Sequence, residues 1–269
     1  MLGSIVGDIV GSIYEFANIK TKDFEFFQPE IERTDDSILC IATADWLLHG
    51  GEVSHYYSRY ALEYPYPMGG YGGMFKAWSS KVARQGIHEP YNSCGNGSAM
   101  RIAPVGWAFE TEREVLAAAE VSASCTHNHP EGIKGAQATA LCIFLARQGH
   151  TASDIRARIE RDFGYDLSMS VEELQRRYSW QGIDGKGDGG ICQDSVPQAI
   201  ICVLQAKDFE DAIRNAISIG GDSDTIGCIA GGIAEALYGI PEPIKEQAWT
   251  YLDETEYRTV RSFIQKYSI

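Results

Sequence analysis

Residues 2–16 have the sequence Leu-Gly-Ser-Ile-Val-Gly-Asp-Ile-Val-Gly-Ser-Ile-Tyr-Glu-Phe. Apolar side chains would surround nearly the whole circumference of a helix here, and glycines recur every four residues at Gly3, Gly7 and Gly11. Such a row of glycines lowers helix propensity, but it leaves a smooth groove in which a second helix can approach closely. The stretch is therefore predicted to form a central helix packed against another helix.

A line of polar residues crosses this apolar helix. Ser4, Asp8, Ser12 and Glu15 follow one another at spacings of four, four and three residues, which places them on one face. A carboxylate buried on that face requires a partner. An ion pair with Arg or Lys would explain Asp8, whereas Glu15, at the end of the helix, is explained at least as well by a functional site.

The length and composition of the chain predict one domain spanning residues 1–269, with two domains as the weaker alternative. A chain of this length with 44% apolar residues can bury one large core, and nothing resembling a linker divides it. Its 37 acidic and 23 basic residues give a net charge of −14 without any basic run, which argues against a general nucleic-acid surface.

The sequence also predicts a cytoplasmic protein that does not engage a membrane. We find no secretory signal and no apolar run of spanning length. The seven cysteines are scattered and include no CxxC pair, as expected for a protein with reduced thiols.

The pattern of apolar residues predicts helices along the whole chain and no convincing strand, so the expected fold class is all-α. After residues 2–16, the predicted helices are 38–48, 54–64, 74–85, 99–108, 111–124, 130–147, 153–163, 171–178, 195–205, 209–219, 222–237, 243–252 and 255–267.

Two of these helix starts carry unusually many oxygen ligands. Gly220-Gly221-Asp222-Ser223-Asp224-Thr225 precedes one helix, and Arg33-Thr34-Asp35-Asp36-Ser37 precedes another. Helix capping explains a Thr or an Asp at either start, and Thr34 is the expected cap. Two helix starts that each carry a Thr and a pair of carboxylates exceed what capping requires and match the needs of two hard cations.

Four further segments are weaker candidates for ligand binding. Gly69-Gly70-Tyr71-Gly72-Gly73 is either a simple turn or a loop that approaches a ligand. Asn92–Ser98 contains glycines and asparagines that permit the left-handed conformations of an anion-binding nest. His127 and His129 lack zinc-ligand spacing, so His127 is expected at a site rim or in an ordinary loop. The Gly-rich segment 180–194 is either a pocket cover or a surface loop.

The chain resembles the ADP-ribosylglycohydrolase family over nearly its whole length. The resemblance is carried, in this order, by Gly7-Asp8 with Glu15, Thr34-Asp35-Asp36-Ser37, Ser93-Cys94-Gly95-Asn96-Gly97, Cys125-Thr126-His127 and Gly220-Gly221-Asp222-Ser223-Asp224-Thr225. It implies a compact, orthogonal multi-helix bundle with two divalent cations, Mg²⁺ or Mn²⁺. The implied metal ligands are Thr34, Asp35, Asp36, Asp222, Asp224 and Thr225.

The resemblance also implies roles in catalysis and substrate binding. Glu15 and Asp36 would be catalytic, with Glu15 as acid or base. ADP-ribose would be bound by Ser93, Cys94, Gly95, Asn96, Gly97 and His127, although Cys94 stands where relatives can carry an aromatic that stacks on adenine.

The implied activity is hydrolysis of the ribosyl C1 glycosidic bond of an ADP-ribosylated protein or small-molecule conjugate by a monomer, with ADP-ribose as product. The linkage stays open between arginine, serine, a nucleobase and a small molecule. The alternatives are a non-catalytic ADP-ribose-binding protein, a two-metal nucleotide phosphoesterase or pyrophosphatase, and a helical protein whose acidic residues only cap helices.

Overall fold

Helix α1 (Leu2–Gly11) lies directly against α13 (Ser223–Tyr238) in the computed structural model, which describes residues 1–269. The two backbones touch: a Cβ added to Gly7 would lie 1.9 Å from the carbonyl oxygen of Gly227. This confirms the close helix approach predicted from the glycines of α1. It also identifies the partner as the helix that follows Asp222.

Fifteen α-helices and two 3-10 turns form the protein, and no residue lies in a β-strand, which confirms the all-α prediction. Most predicted helices agree with the observed ones to within three residues at each end. Between α1 and α13 the helices are α2 (Asp35–His49), α3 (Val53–Glu63), α4 (Gly73–Gln85), α5 (Gly97–Met100), α6 (Ala103–Ala108), α7 (Glu112–Ser124), α8 (Pro130–Arg147), α9 (Ala152–Phe163), α10 (Val171–Arg177), α11 (Cys192–Leu204) and α12 (Phe209–Ser218). The last two are α14 (Glu242–Trp249) and α15 (Glu254–Tyr267).

The predicted helix 2–16 is wrong at its carboxyl end. Helix α1 stops at Gly11 and continues only as a 3-10 turn, Ser12–Tyr14. The side-chain amide of Asn18 donates to the carbonyl oxygens of Tyr14 (2.6 Å) and Glu15 (3.0 Å). These bonds satisfy carbonyls that would otherwise accept from a further helical turn. The helix therefore ends here, and Glu15 lies outside it.

The predicted helix 99–108 is also wrong, because it is split into α5 and α6. Pro104 lacks an N–H, and its ring would clash with the carbonyl of Met100 in a continuous helix. The chain therefore breaks at Arg101 and Ile102 and starts a new helix with Pro104 in its first turn.

The buried apolar side chains form one continuous cluster of 70 residues. Helices α1, α8 and α13 are buried along nearly their whole lengths and form its centre. Because α1 and α2 both pack against α13, the start of α13 is fixed beside the end of α1 and the start of α2.

No helix combines the length and apolar composition needed to cross a bilayer. None of the seven cysteines forms a disulfide.

Candidate active site

The site is built where α1, α2 and α13 meet. Asp8, on α1, accepts hydrogen bonds from the backbone N–H groups of Thr34 (3.0 Å) and Ser37 (3.1 Å) and from the hydroxyl of Thr34 (2.6 Å). The expectation that Asp8 pairs with Arg or Lys is therefore wrong. The unsatisfied N–H groups at the start of α2 take the place of a basic partner, because they carry the positive end of the helix dipole.

Six carboxylates gather at this junction without a basic partner: Asp8, Glu15, Asp35, Asp36, Asp222 and Asp224. None of them forms an ion pair in the structure. Four of them, Asp8, Asp36, Asp222 and Asp224, are buried, and the other two are partly buried. So many ionised carboxylates repel one another strongly unless protons or cations compensate their charge.

The carboxylates form two groups of three that share one member. Asp8, Asp36 and Asp224 offer oxygens within 4.8 Å of one another, and so do Glu15, Asp222 and Asp224. In addition, Oδ1 of Asp36 is buried without a hydrogen-bond partner. An all-oxygen donor set with a partnerless buried carboxylate oxygen fits hard divalent cations such as Mg²⁺ and Mn²⁺.

The structure brings the predicted ligands of both helix starts together. Thr225 donates from its hydroxyl to Oδ2 of Asp36 at 3.2 Å, which joins α13 to α2. Thr34 caps α2 as expected by accepting from the N–H of Asp36, and it donates to Asp8, but it does not line the cavity described below. Asp222 makes no capping bond, and the side-chain amide of Asn96 donates to its Oδ2 at 2.7 Å.

A cavity of about 420 Å³ opens over this acidic floor, within the size range of small-molecule sites. The loop Gly69–Gly73 forms one wall, and a Cβ on Gly69 would lie 2.6 Å from Oε2 of Glu15. The sequence identified this glycine cluster without assigning it to the site. Lining residues that sequence reasoning did not include in the site are Leu39, Met74, Phe75, Tyr91, Met100, Arg101 and Gly190.

The segment Ser93–Gly97 also contributes to the cavity wall, but the expected left-handed nest is not there. Within 92–98 only Asn92 has a positive φ, of 54°. Around Gly95 the chain instead pairs with residues 190–192, because the Asn96 N–H donates to the Gly190 carbonyl and the Cys192 N–H donates to the Cys94 carbonyl, and α5 then begins at Gly97. Ser93, Gly95, Asn96 and Gly97 line the cavity, whereas Cys94 does not.

The two histidines of the 127–129 segment have different roles. His127 is buried and lines the cavity beside Gly95 and Gly97. His129 is the N-cap of α8, where its Nδ1 accepts from the N–H of Glu131 at 3.1 Å. One side chain therefore lines the cavity, and the other caps a helix.

Segment 180–194 reaches the site at two points. The indole N–H of Trp180 donates to the carbonyl oxygen of Glu15 at 2.8 Å, and Gly190 lines the cavity. This segment therefore supports the chain around Glu15 rather than forming an unrelated surface loop.

Burial and mutual repulsion raise the pKa values of the site carboxylates. Burial is the main cause for each, and neighbouring carboxylates add to it for Glu15, whose pKa is raised to about 8. Burial raises the pKa of Asp8 and of Asp222 to about 6, although hydrogen bonds oppose it. The pKa values of Asp35, Asp36 and Asp224 are raised well above their usual range by burial and by nearby carboxylates.

These shifts predict an unusual pH dependence for the metal-free protein. A carboxyl whose pKa is higher in the folded than in the unfolded protein contributes to the free energy of unfolding at low pH, where it is protonated. This contribution is lost as the pH rises through the folded-state pKa. The melting temperature without metal should therefore fall by at least a few degrees between about pH 4.5 and pH 8. Differential scanning fluorimetry in chelator, repeated with saturating Mn²⁺, measures this. A metal-free melting temperature that stays constant or rises over that range would contradict the claim that repulsion between ionised site carboxylates destabilises the metal-free protein.

Comparison with known proteins agrees with the site's chemistry. The family model for ADP-ribosylglycohydrolase matches residues 1–267. The human protein ADP-ribosylhydrolase ARH3 is 29% identical, over 95% of this chain and 89% of its own length. The ADP-ribosylarginine hydrolase Tri1 of Pseudomonas putida (strain GB-1) is 26% identical, over 93% of this chain and 73% of its own length.

A solved structure supports the fold independently. It is titled ADP-ribosylglycohydrolase-related protein complex, and it matches with a TM-score of 0.68 and 23% identity, covering 98% of this chain and 96% of its own. At this identity the likeness concerns the fold alone. Since the family model extends over almost every residue, the chain belongs to the ADP-ribosylglycohydrolase family.

Proposed function

We propose that this protein is a metal-dependent hydrolase that cleaves the ribosyl C1 glycosidic bond of ADP-ribosylated substrates and releases ADP-ribose. The observation that carries the proposal is the pair of three-carboxylate groups sharing Asp224 on the floor of the cavity. Family membership and the names of the two relatives support the substrate class. The substrate would be an ADP-ribosylated protein or small-molecule conjugate.

The proposed cofactor is a pair of divalent cations, Mg²⁺ or Mn²⁺, held on the acidic floor of the cavity. Asp35, Asp36, Asp222, Asp224 and Thr225 line the cavity and would supply ligands, with Thr34 behind them. Asp8 would hold the start of α2 in place through its three hydrogen bonds. Bound cations would neutralise the carboxylates, bind the ribose hydroxyls and lower the pKa of a bound water.

Glu15 is proposed to carry the proton in the reaction. Its carboxyl lies at the cavity, near the carboxylate of Asp224 and beside Gly69. Cleavage at C1 passes through an oxocarbenium-like state, in which a positioned carboxylate can take a proton from the attacking water. The backbone of Glu15 is fixed for this role by Trp180 and Asn18.

The cavity wall at residues 93–97 is proposed to bind ADP-ribose. Ser93, Gly95, Asn96 and Gly97 present backbone and small polar groups there, and His127 lines the cavity beside the two glycines. Asn96 also links this wall to the acidic floor through Asp222. The substrate's phosphates and its ribose would then be fixed by one connected structure, which reduces the cost of orienting them.

A panel of ADP-ribosyl conjugates tests the proposal. Arginine-linked, serine-linked, nucleobase and small-molecule conjugates are incubated with Mg²⁺ or Mn²⁺, and products are separated by chromatography. We expect at least one conjugate to release ADP-ribose with its pyrophosphate intact, and chelator to abolish the release. Glu15→Gln should lower turnover on that conjugate by at least about 100-fold while ADP-ribose binding stays within a few-fold, because only proton transfer is removed.

The matched control is Glu32→Gln, which replaces an exposed glutamate ahead of α2 and should retain full turnover.

Each alternative function has its own outcome. AMP as product would indicate a phosphoesterase or pyrophosphatase, and ADP-ribose binding without turnover of any conjugate would indicate a binding protein. Unchanged turnover in chelator would exclude the metal-dependent reaction.

A further inference from the structure

Arg101 is a buried cation without an anionic partner. Its side chain has no exposed surface, and it forms no ion pair. Its guanidinium lies 4.1 Å from the ring centroid of Tyr57, and its Nε and Nη1 have no hydrogen-bond partner. Burying an unpaired charge is costly, so the contacts of the remaining nitrogen, Nη2, must offset part of that cost.

The remaining nitrogen of Arg101 connects the guanidinium to the cavity histidine. Nη2 donates to the carbonyl oxygen of Ser122, in the last turn of α7, and to Oγ1 of Thr126, both at 2.8 Å. Oγ1 of Thr126 lies 2.7 Å from Nδ1 of His127. Arg101, Thr126 and His127 therefore form a continuous hydrogen-bonded chain that ends at the cavity wall.

The donors and acceptors in this chain favour one tautomer of the histidine. A guanidinium can only donate, so Thr126 accepts from Arg101 and keeps its own hydroxyl proton. Nδ1 of His127 lies at hydrogen-bond distance from that buried hydroxyl. A bare Nδ1 accepts the hydroxyl proton, whereas a protonated Nδ1 would make the oxygen accept twice and would leave its proton without this acceptor, so the favoured tautomer carries the ring proton on Nε2. Burial, and then the charge of Arg101, hold the pKa of His127 well below its usual range, so the ring is neutral.

The protonated nitrogen faces the proposed ADP-ribose wall. A Cβ added to Gly97 would lie 3.2 Å from Nε2 of His127, and one added to Gly95 would lie 3.5 Å from it. A side chain at Gly97 would crowd the imidazole and one at Gly95 would contact it, so glycine at both positions leaves Nε2 open to the cavity. A neutral N–H donor at this place can bind an oxygen of a ligand without adding a charge to the site.

We propose that Arg101 and Thr126 are positioning residues that hold His127 as the Nε2–H tautomer, ready to donate to a hydroxyl or phosphate oxygen of the bound ADP-ribosyl group. The identity of the ligand oxygen that accepts this hydrogen bond rests on the proposed function. The tautomer does not, because it follows from protein atoms alone.

Histidine ¹⁵N NMR without ligand tests the tautomer, because protonated and bare ring nitrogens resonate far apart. The His127 signals are assigned by their loss in His127→Gln. We expect wild-type His127 to be protonated at Nε2 and Thr126→Val to populate the Nδ1–H form. Thr126→Val should also bind ADP-ribose about tenfold more weakly by calorimetry with Mn²⁺, the loss expected for one hydrogen bond. Thr126→Ser, which restores the hydroxyl, should recover both properties.

Thr139→Val is the matched control, because Thr139 is buried in α8 and its hydroxyl has no partner. It should change neither the tautomer nor ADP-ribose affinity.

Wild-type His127 protonated at Nδ1, or a Thr126→Val protein with the wild-type tautomer, would overturn the proposal. So would wild-type ADP-ribose affinity in a Thr126→Val protein whose tautomer has changed. If the expected tautomers are found but no conjugate is hydrolysed, the result supports the positioning role of Arg101 and Thr126 and rejects only the proposed activity.

Discussion

Asp224→Asn is expected to lose divalent-metal binding and hydrolysis together, and yet to be more stable than the wild type when both are metal-free. Asp224 is the one carboxylate that belongs to both three-carboxylate groups, so its replacement removes a ligand from both proposed cation positions. Affinity for Mn²⁺ should fall by at least about 100-fold. Turnover should fall on the order of 1,000-fold, since the cations are proposed to contribute several kcal/mol to catalysis.

The rise in metal-free stability follows from the electrostatics of the site. Burial and the charges of Asp222 and Asp8 raise the pKa of Asp224 well above its usual range, so its ionised form opposes folding. Asparagine has nearly the same shape but no charge, and its oxygen can still accept from the Thr225 N–H, which is 2.9 Å from Oδ1. At pH 7.5 in chelator, the variant should melt a few degrees higher than the wild type.

Asp45→Asn provides the control with the opposite sign. Asp45 is also a buried carboxylate, but it pairs with Arg59 and with Nδ1 of His49 and accepts from the hydroxyl of Tyr60. Its neutralisation should lower the melting temperature and leave Mn²⁺ affinity unchanged. Calorimetry and melting curves on both variants decide the matter. Wild-type Mn²⁺ affinity in Asp224→Asn would show that Asp224 is not a shared ligand. A lower metal-free melting temperature would show that ionised Asp224 does not oppose folding.

The helix starts of the site were predictable from sequence because their chemistry is local. A Thr or Asp next to further carboxylates at the start of an apolar run is visible in a few residues, and duplication of that pattern predicted two halves of one site. The contact between the two halves depends on the fold. Thr225, at the start of α13, donates to Asp36, at the start of α2, although 189 positions separate them in the sequence.

Residues that enter the site only through packing were not predictable in the same way. Asp8 lies on a helix face whose partner was unknown, so Arg or Lys was as reasonable an expectation as the start of α2. Gly95 and Gly97 suggested a left-handed nest, but their function in the structure is to leave room for His127. In both cases the missing information was a contact between segments distant in sequence, which periodicity and propensity do not contain.

Gly7→Ala is expected to have the largest effect on stability of any single methyl addition in the protein's core. The new Cβ would lie 1.9 Å from the carbonyl oxygen and 2.3 Å from the carbonyl carbon of Gly227. Those atoms are backbone within α13, so relief requires the whole helix to move. Overpacking usually costs about 1–3 kcal/mol, and separation of two central helices should reach or exceed the upper end. This is a large share of the 5–15 kcal/mol typical of a folded protein.

The same displacement should reach the metal site, because α13 carries Asp224 and α1 carries Asp8. Urea unfolding with and without Mn²⁺ measures both effects: we expect a lower midpoint in chelator and a smaller gain on adding Mn²⁺ than in the wild type.

Gly73→Ala is the control, since Gly73 is exposed in the first turn of α4 and a Cβ there meets no atom within 4 Å. Its stability should be unchanged or raised by up to about 1 kcal/mol. If Gly7→Ala were as stable as Gly73→Ala, close backbone contact between α1 and α13 could not be what positions the carboxylates, and the glycine repeat at the start of the chain would need another explanation.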